Sequence, residues 1–228
     1  MSRMSCCAAV LSIGLVLSSA SRASDPSDPT SDTVSNVLTR ALQRGLCHGE
    51  AAKDEMADRE RLAQIAASLA DPNASMPLHG QQMNAIDMAV LADDADLLNR
   101  LFEKGAQIRE ENALRMLSWA VQYDSTATLV TLMAHGLDPN LRADGNVLSP
   151  LEAASLHDQA SNVYALVAAG VRLDTPPNSK GFNALTAAVI CKNQHLADYL
   201  MAKGVVITDL TRQKAAENGI NLAAVPSG

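Results

Sequence analysis

The chain has 228 residues, of which 18 are basic and 25 are acidic, giving a formal net charge of −7 near neutral pH. This balance repels phosphate and no basic stripe is present, so we expect no nucleic acid among its partners. Aromatic residues make up only 3% of the chain, which favours helices closed by alanine and leucine over a core of bulky rings.

Residues 1–23 have the pattern of a secretory signal peptide. Arg3 gives a positive start, an apolar run of 12 residues follows at 6–17, and cleavage fits after Ala20 or Ala23. A buried N-terminal helix is the alternative, and the absence of acidic residues before Asp25 disfavours it. The run is too short to span a bilayer. We therefore expect export without membrane insertion after cleavage, which at Ala23 leaves a formal charge of −9.

Two further segments precede the main body of the chain. Residues 24–32 are polar and interrupted by proline, which predicts a disordered leader. Residues 33–83 predict an N-terminal helical cap, with helices from 33 to about 45 and from about 50 to 70. The cap contains Asp71-Pro72-Asn73, and the same three residues recur as Asp138-Pro139-Asn140, so the cap has the features of an additional, degenerate repeat. We interpret residues 76–79 as loop.

Residues 84–208 contain one pattern four times. Each copy has an alanine followed 16 positions later by a glycine, with a leucine four positions before that glycine. The glycines are 31, 34 and 34 residues apart, a period typical of stacked repeats. The alanines are Ala89, Ala120, Ala154 and Ala188, the leucines Leu101, Leu132, Leu166 and Leu200, and the glycines Gly105, Gly136, Gly170 and Gly204.

The third copy shows why this pattern predicts a helical hairpin. Ser149 can cap a helix whose first turn accepts Pro150, and Leu151 and Ala154 share one face of it. A second apolar stripe leads to Gly170, which can adopt the left-handed conformation that ends a helix. Neither helix can bury its stripe within one hairpin, so the hairpins are expected to stack.

These residues resemble the ankyrin repeat family. Ser149-Pro150-Leu151-Glu152-Ala153-Ala154 resembles the Thr-Pro-Leu-His-x-Ala opening, and Gly136-Leu137-Asp138-Pro139-Asn140 resembles the Gly-Ala-Asp-x-Asn ending, over about 125 of 228 residues. The resemblance implies an all-α, ankyrin-like solenoid of about four helix-turn-helix repeats, with a short capping helix and tail at 209–228. The chain departs from the family at two positions. The family's histidine is replaced by Asp87, Ser118, Glu152 and Thr186, and the glycine between the helices is replaced by Asp93, Asp124, Asp158 and Lys192.

The connections between copies are unequal. Ankyrin repeats join through a projecting β-hairpin, but only 15 residues separate Gly105 from Ala120, against 18 in the two later connections. We therefore expect the first hairpin to be short or missing and the helix near Asn112 to begin one turn early. The later hairpins have turn signatures at 142–146 and 176–181.

The sequence lacks a recognisable catalytic or metal motif. The five histidines are scattered, and the acidic run at 93–96 is typical of helix capping. Cys47 and Cys191 remain after signal removal, and we predict that they lie too far apart for a disulfide. We expect no cofactor, no metal and no enzymatic activity. The alternative is an enzyme that uses the concave groove with His157 as general base.

The resemblance places a binding surface on the concave face. There the positions after the buried alanines, with residues of the later hairpins, carry apolar and aromatic side chains, although packing on the next layer is an equal alternative. The predicted role is a protein-binding module of the bacterial periplasm, in toxin immunity or as accessory to a periplasmic enzyme. We expect a monomer with a basic protein partner, and we assign Trp119 to packing. The candidate partner-binding residues are Leu91, Gln122, Tyr123, Asn146, Val147, Leu156, His157, Lys180, Phe182 and Ile190.

Overall fold

The computed structural model describes residues 52–78, 81–142, 148–173 and 181–223. Across these residues the protein is predominantly helical, as predicted, with ten helices and one two-stranded antiparallel sheet. The chain divides into two compact units between Leu137 and Asp138. The predicted signal peptide, leader and first cap helix, together with Cys47, Asn146, Val147 and Lys180, lie outside the described residues.

The unit at 52–137 consists of a long helix, a small hairpin of strands and two helical hairpins. Its elements are α1 (Ala52–Ser68), β1 (Met76–Leu78), β2 (Gln81–Met83), α2 (Ala85–Ala92), α3 (Ala95–Glu103), α4 (Glu110–Gln122) and α5 (Thr126–Ala134). Met76 pairs with Met83 across the strands. Helix α1 packs mainly on α2, while α2 contacts α4 and α3 contacts α5. Corresponding helices of the two hairpins therefore lie side by side.

The unit at 138–223 follows the same plan with shorter first helices. Its elements are α6 (Pro150–Leu156), α7 (Ala160–Ala168), α8 (Ala184–Ile190), α9 (Gln194–Ala202) and α10 (Asp209–Asn218). Helix α6 packs on α7 and α8, and α8 in turn contacts α9 and α10. The first helices α6 and α8 thus form the centre of this unit.

The residues that recur in the sequence form the core. All four alanines have 0% of their surface exposed, and the four leucines before the glycines have 2% or less. An alanine side chain lets a neighbouring helix approach closely, and the leucines fill the space between the helices of a hairpin. The four glycines all have φ between 81° and 95°, the left-handed region that the pattern requires of a helix end.

The turn inside each hairpin keeps its conformation without glycine. Asp93, Asp124, Asp158 and Lys192 have φ of 54°, 56°, 58° and 58°. Aspartate tolerates the left-handed region because its short polar side chain can bond locally, whereas lysine has no such compensation. The turn position therefore keeps a left-handed backbone in all four hairpins although none of them has glycine there.

The helix starts follow from the side chains at their caps. Ser149 and Glu152 form a reciprocal capping box at α6, with Pro150 in the first turn as predicted. Asn84 and Asp87 form a second box at α2. Helix α10 begins after Thr208 and ends at Gly219, with φ of 70°, which confirms the predicted end of this helix.

Two local predictions differ from the structure. Helix α4 has 13 residues and begins ten positions before its alanine, whereas α2, α6 and α8 begin four positions before theirs, so the extension is nearer two turns than one. Glu110 and Glu111 occupy the first turn of α4, where the helix dipole favours acidic side chains. Residues 76–78, interpreted as loop, form β1, which pairs antiparallel with β2.

Candidate functional site

The turn between α2 and α3 connects three elements of its unit. The Asp93 carboxylate accepts hydrogen bonds from Arg59 of α1 at 3.2 Å and from Thr128 of α5 at 2.8 Å. Asp94 caps α3 by accepting from the Leu97 N–H at 2.7 Å, as the capping interpretation of the acidic run predicts. These carboxylates therefore fix the position of the turn.

The turns of the other unit are also linked. The Asp158 carboxylate accepts from the Asn193 amide at 2.7 Å. The Cys191 thiol donates to the Leu156 carbonyl at 3.1 Å, so the ends of α6 and α8 meet there.

The predicted partner-binding residues differ in accessibility. Leu91 and Leu156 are buried, with 5% and 8% of their surface exposed. These two side chains pack inside their units, as the packing alternative anticipates. His157 is exposed, and the remaining described members are half-buried, namely Gln122, Tyr123, Phe182 and Ile190. Trp119 is buried, which confirms its assignment to packing.

The accessible candidates thus form two groups, one in each unit. Gln122 and Tyr123 lie at the end of α4, while His157 and Ile190 lie at the ends of α6 and α8. The histidine follows α6 directly and is itself followed by Asp158, whose carboxylate is bonded to Asn193. Across the part of the chain that the structure describes, no group of three or more His, Cys, Asp or Glu side chains is arranged to hold a metal ion.

Asp87 is a buried carboxylate in a network that the sequence pattern does not reveal. It accepts from the Asn84 N–H at 2.9 Å, from the Asn112 amide at 3.2 Å and from Arg115 at 2.9 Å. Burial raises the pKa of the Asp87 carboxyl above its ordinary value, and the hydrogen bond and charge of Arg115 oppose that rise. Arg115 also donates to the Gln82 carbonyl at 3.1 Å and lies 5.1 Å from the centre of the Trp119 ring.

A chain of hydroxyl groups occupies the corresponding place near the C-terminus. The Thr186 and Thr211 hydroxyls are 2.8 Å apart, and the Thr211 and Thr208 hydroxyls are also 2.8 Å apart. Thr208 donates to the Gly181 carbonyl at 2.7 Å. Thr186 and Asp87 occupy the same position in their copies, two residues before the buried alanine, and each takes part in a buried hydrogen-bond network.

Sequence reasoning missed an aromatic face on α7 and α9. The Tyr164 and Tyr199 rings meet edge to face with centroids 4.5 Å apart, and the Lys203 ammonium lies 5.6 Å from the Tyr199 centroid. The signal for it was the absence of any charged residue from 160 to 171. We call this surface the tyrosine face, and it comprises Ser161, Tyr164, Ala168, Tyr199, Ala202 and Lys203.

A scan against protein-family models finds no match to this chain, and a search of curated proteins finds no similar sequence. The family assignment therefore stays a proposal. Among the described helices, none is both long enough and apolar enough to cross a membrane.

Proposed function

We propose that the chain is a non-catalytic, ankyrin-like module that binds a protein partner through the turn surfaces of its helical hairpins. The observation that carries this proposal is the contrast between constant framework and variable turns. Four hairpins share a fully buried alanine and a left-handed turn residue, while the accessible residues between these two positions differ from copy to copy, namely Gln122, Tyr123, His157, Ile190 and Cys191. Surface segments that vary on a repeated scaffold are typical of recognition modules.

The partner that best fits this surface is a basic protein. Residues 52–137 contain 13 acidic and seven basic side chains, a formal charge of −6, whereas residues 138–223 contain eight and seven, a formal charge of −1. Arg59 and Arg115 form ion pairs within the first unit, which neutralises part of its positive charge. The negative field of residues 52–137 would therefore attract a basic partner and accelerate its association.

The cellular setting proposed is the bacterial periplasm, which follows from the signal-like residues 1–23. Fractionation of the producing cell should recover the chain in the periplasm, starting at residue 21 or 24 by N-terminal sequencing. A cytoplasmic chain that retains Met1 would contradict export. Within the periplasm the two proposed roles are neutralisation of a basic toxin and support of a periplasmic enzyme.

The partner surface can be tested with substitutions at its accessible residues. Tyr123→Lys and His157→Lys should repel a basic partner, while Ala127→Lys and Ala216→Lys add the same charge at exposed positions on α5 and α10. Leu156 is unsuitable for this test because it is buried, so a charge there would unfold the protein.

Affinity capture from the envelope fraction would identify the partner, and its affinity for each purified variant would then be measured by titration calorimetry. We expect at least a roughly tenfold weaker affinity for Tyr123→Lys and His157→Lys and little change for the two controls. Equal affinities for all four variants would show that the turn surface does not bind the partner. Inhibition of the partner's toxicity would favour immunity, and a gain in its catalytic rate would favour the accessory role.

A further inference from the structure

The outer surface of α7 and α9 is unusual for an acidic protein. Helix α7 has no charged residue, and its exposed side includes Tyr164, whose surface is 42% exposed. On α9 the Asp198 carboxylate is bonded to Gln194 at 2.7 Å, and Lys203 lies against the Tyr199 ring. A helix face that meets only water normally carries charged residues, so this face has the character of a contact surface.

We propose that the tyrosine face binds a second copy of this chain. Two copies carry the same net charge of −7 and repel each other wherever their carboxylates are exposed. The tyrosine face lies in the unit of near-neutral charge and on helices with almost no free carboxylate, so it is where like-charged copies can approach. A basic partner would instead be drawn to residues 52–137.

The face is also self-complementary. A symmetric dimer requires the same surface to supply both halves of each contact. The tyrosine face offers two aromatic rings and one ammonium group, and a lysine over a tyrosine ring is a favourable pair that already occurs within one copy. In a two-fold arrangement the lysine of each copy can meet a ring of the other.

The size of the face limits the strength of the contact. Helices α7 and α9 have nine residues each, and two such helices side by side present about 300 Å². A standard interface buries about 800 Å² on each partner, so we infer a weak dimer with a Kd of about 10 µM to 1 mM. The monomer expected from the sequence would then prevail only in dilute solution.

Sedimentation of the full chain across that concentration range tests the proposal. The average mass of the wild type should rise towards that of a dimer, and Tyr164→Glu should weaken association at least about tenfold. Ala168→Glu, at a second exposed position of α7, should have the same effect. Tyr164→Phe keeps the ring and should dimerise like the wild type.

Ala216→Glu is the matched control, because it places the same charge at an exposed position of α10. Circular dichroism establishes that each variant is folded. A wild type that remains monomeric throughout, or association that Tyr164→Glu and Ala216→Glu change equally, would overturn the proposal. Partner capture by the turn surface should be unaffected by Tyr164→Glu, so the two proposals can fail separately.

Discussion

Removal of Arg115 should destabilise the protein more than removal of the charge that Arg115 neutralises. In Arg115→Ala the Asp87 carboxylate, whose side chain is fully buried in the wild type, loses its charged partner and keeps its bonds from Asn84 and Asn112. Breaking a buried ion pair from one side costs about 3–5 kcal/mol. The Arg115 side chain is 19% exposed, so water can partly replace it, and we expect a cost of about 3 kcal/mol.

Asp87→Asn should cost less, about 1–2 kcal/mol, because an amide oxygen can still accept from Asn84 and the freed guanidinium can turn towards water. The double variant should then be nearly as stable as Asp87→Asn alone, since it contains no buried uncompensated charge. Chemical denaturation followed by circular dichroism gives each unfolding free energy. Arg100→Ala, an exposed arginine of α3, is the control and should cost little.

The stability of Arg115→Ala should also depend on pH. Because burial raises the pKa of Asp87 in the folded protein, its protonation stabilises the fold below the ordinary aspartate value, and this contribution is lost as pH rises through the raised pKa. Without Arg115 that pKa rises further, so the stability deficit of Arg115→Ala relative to the wild type should be smaller at a pH near the ordinary aspartate value than at neutral pH. A larger cost for Asp87→Asn than for Arg115→Ala, or an equal deficit of Arg115→Ala at both pH values, would contradict this role of Arg115.

Two further predictions concern backbone conformation and the hydroxyl chain. Lys192→Gly should raise the unfolding free energy by about 1 kcal/mol, because φ is 58° at Lys192 and glycine adopts this conformation without strain. Gly204→Ala should lower the unfolding free energy by about 1 kcal/mol, because φ is 89° there. The space is not the obstacle, since no atom lies within 4 Å of the added Cβ. Chemical denaturation would measure both changes, and an equal sign for the two would contradict the assignment. Thr211→Val should cost about 1 kcal/mol, because the Thr186 hydroxyl loses its bond to Thr211 but keeps its bond to the Asn183 side chain at 3.0 Å. Thr211→Ser should retain most of the stability by thermal unfolding. Equal losses for the two variants would show that the hydroxyl chain contributes nothing.

The framework of the hairpins could be predicted because its signals are local. A cap such as Ser149, its partner Glu152 and the glycine that ends the second helix lie within one copy, and their spacing is set by helix geometry. The extension of α4 also had a local signal in Glu110 and Glu111, which are typical of a first helical turn.

The candidate site was less predictable because its contacts join distant residues. Asp87 and Arg115 are 28 positions apart, and Thr186 and Thr211 are 25 apart, so no periodicity within one copy connects them. The burial of Leu91 and Leu156 depends on how closely the neighbouring helix approaches, which repeat register alone does not determine. The pairing of β1 with β2 likewise has no counterpart in the helical period of the sequence.

Asn73 and Asn140 have a consequence for shortening the chain. The Asn73 side chain donates to the Gly105 carbonyl at 3.0 Å and accepts from the Gln107 N–H at 2.9 Å, and Asn140 accepts from the Arg172 N–H at 2.7 Å. Each of these two loops is therefore hydrogen-bonded by an asparagine side chain that lies more than 30 residues upstream in the sequence. A fragment that begins at α2 lacks Asn73, so the backbone groups of Gly105 and Gln107 would lose these hydrogen bonds. A shortened chain that keeps them has to begin upstream of Asn73.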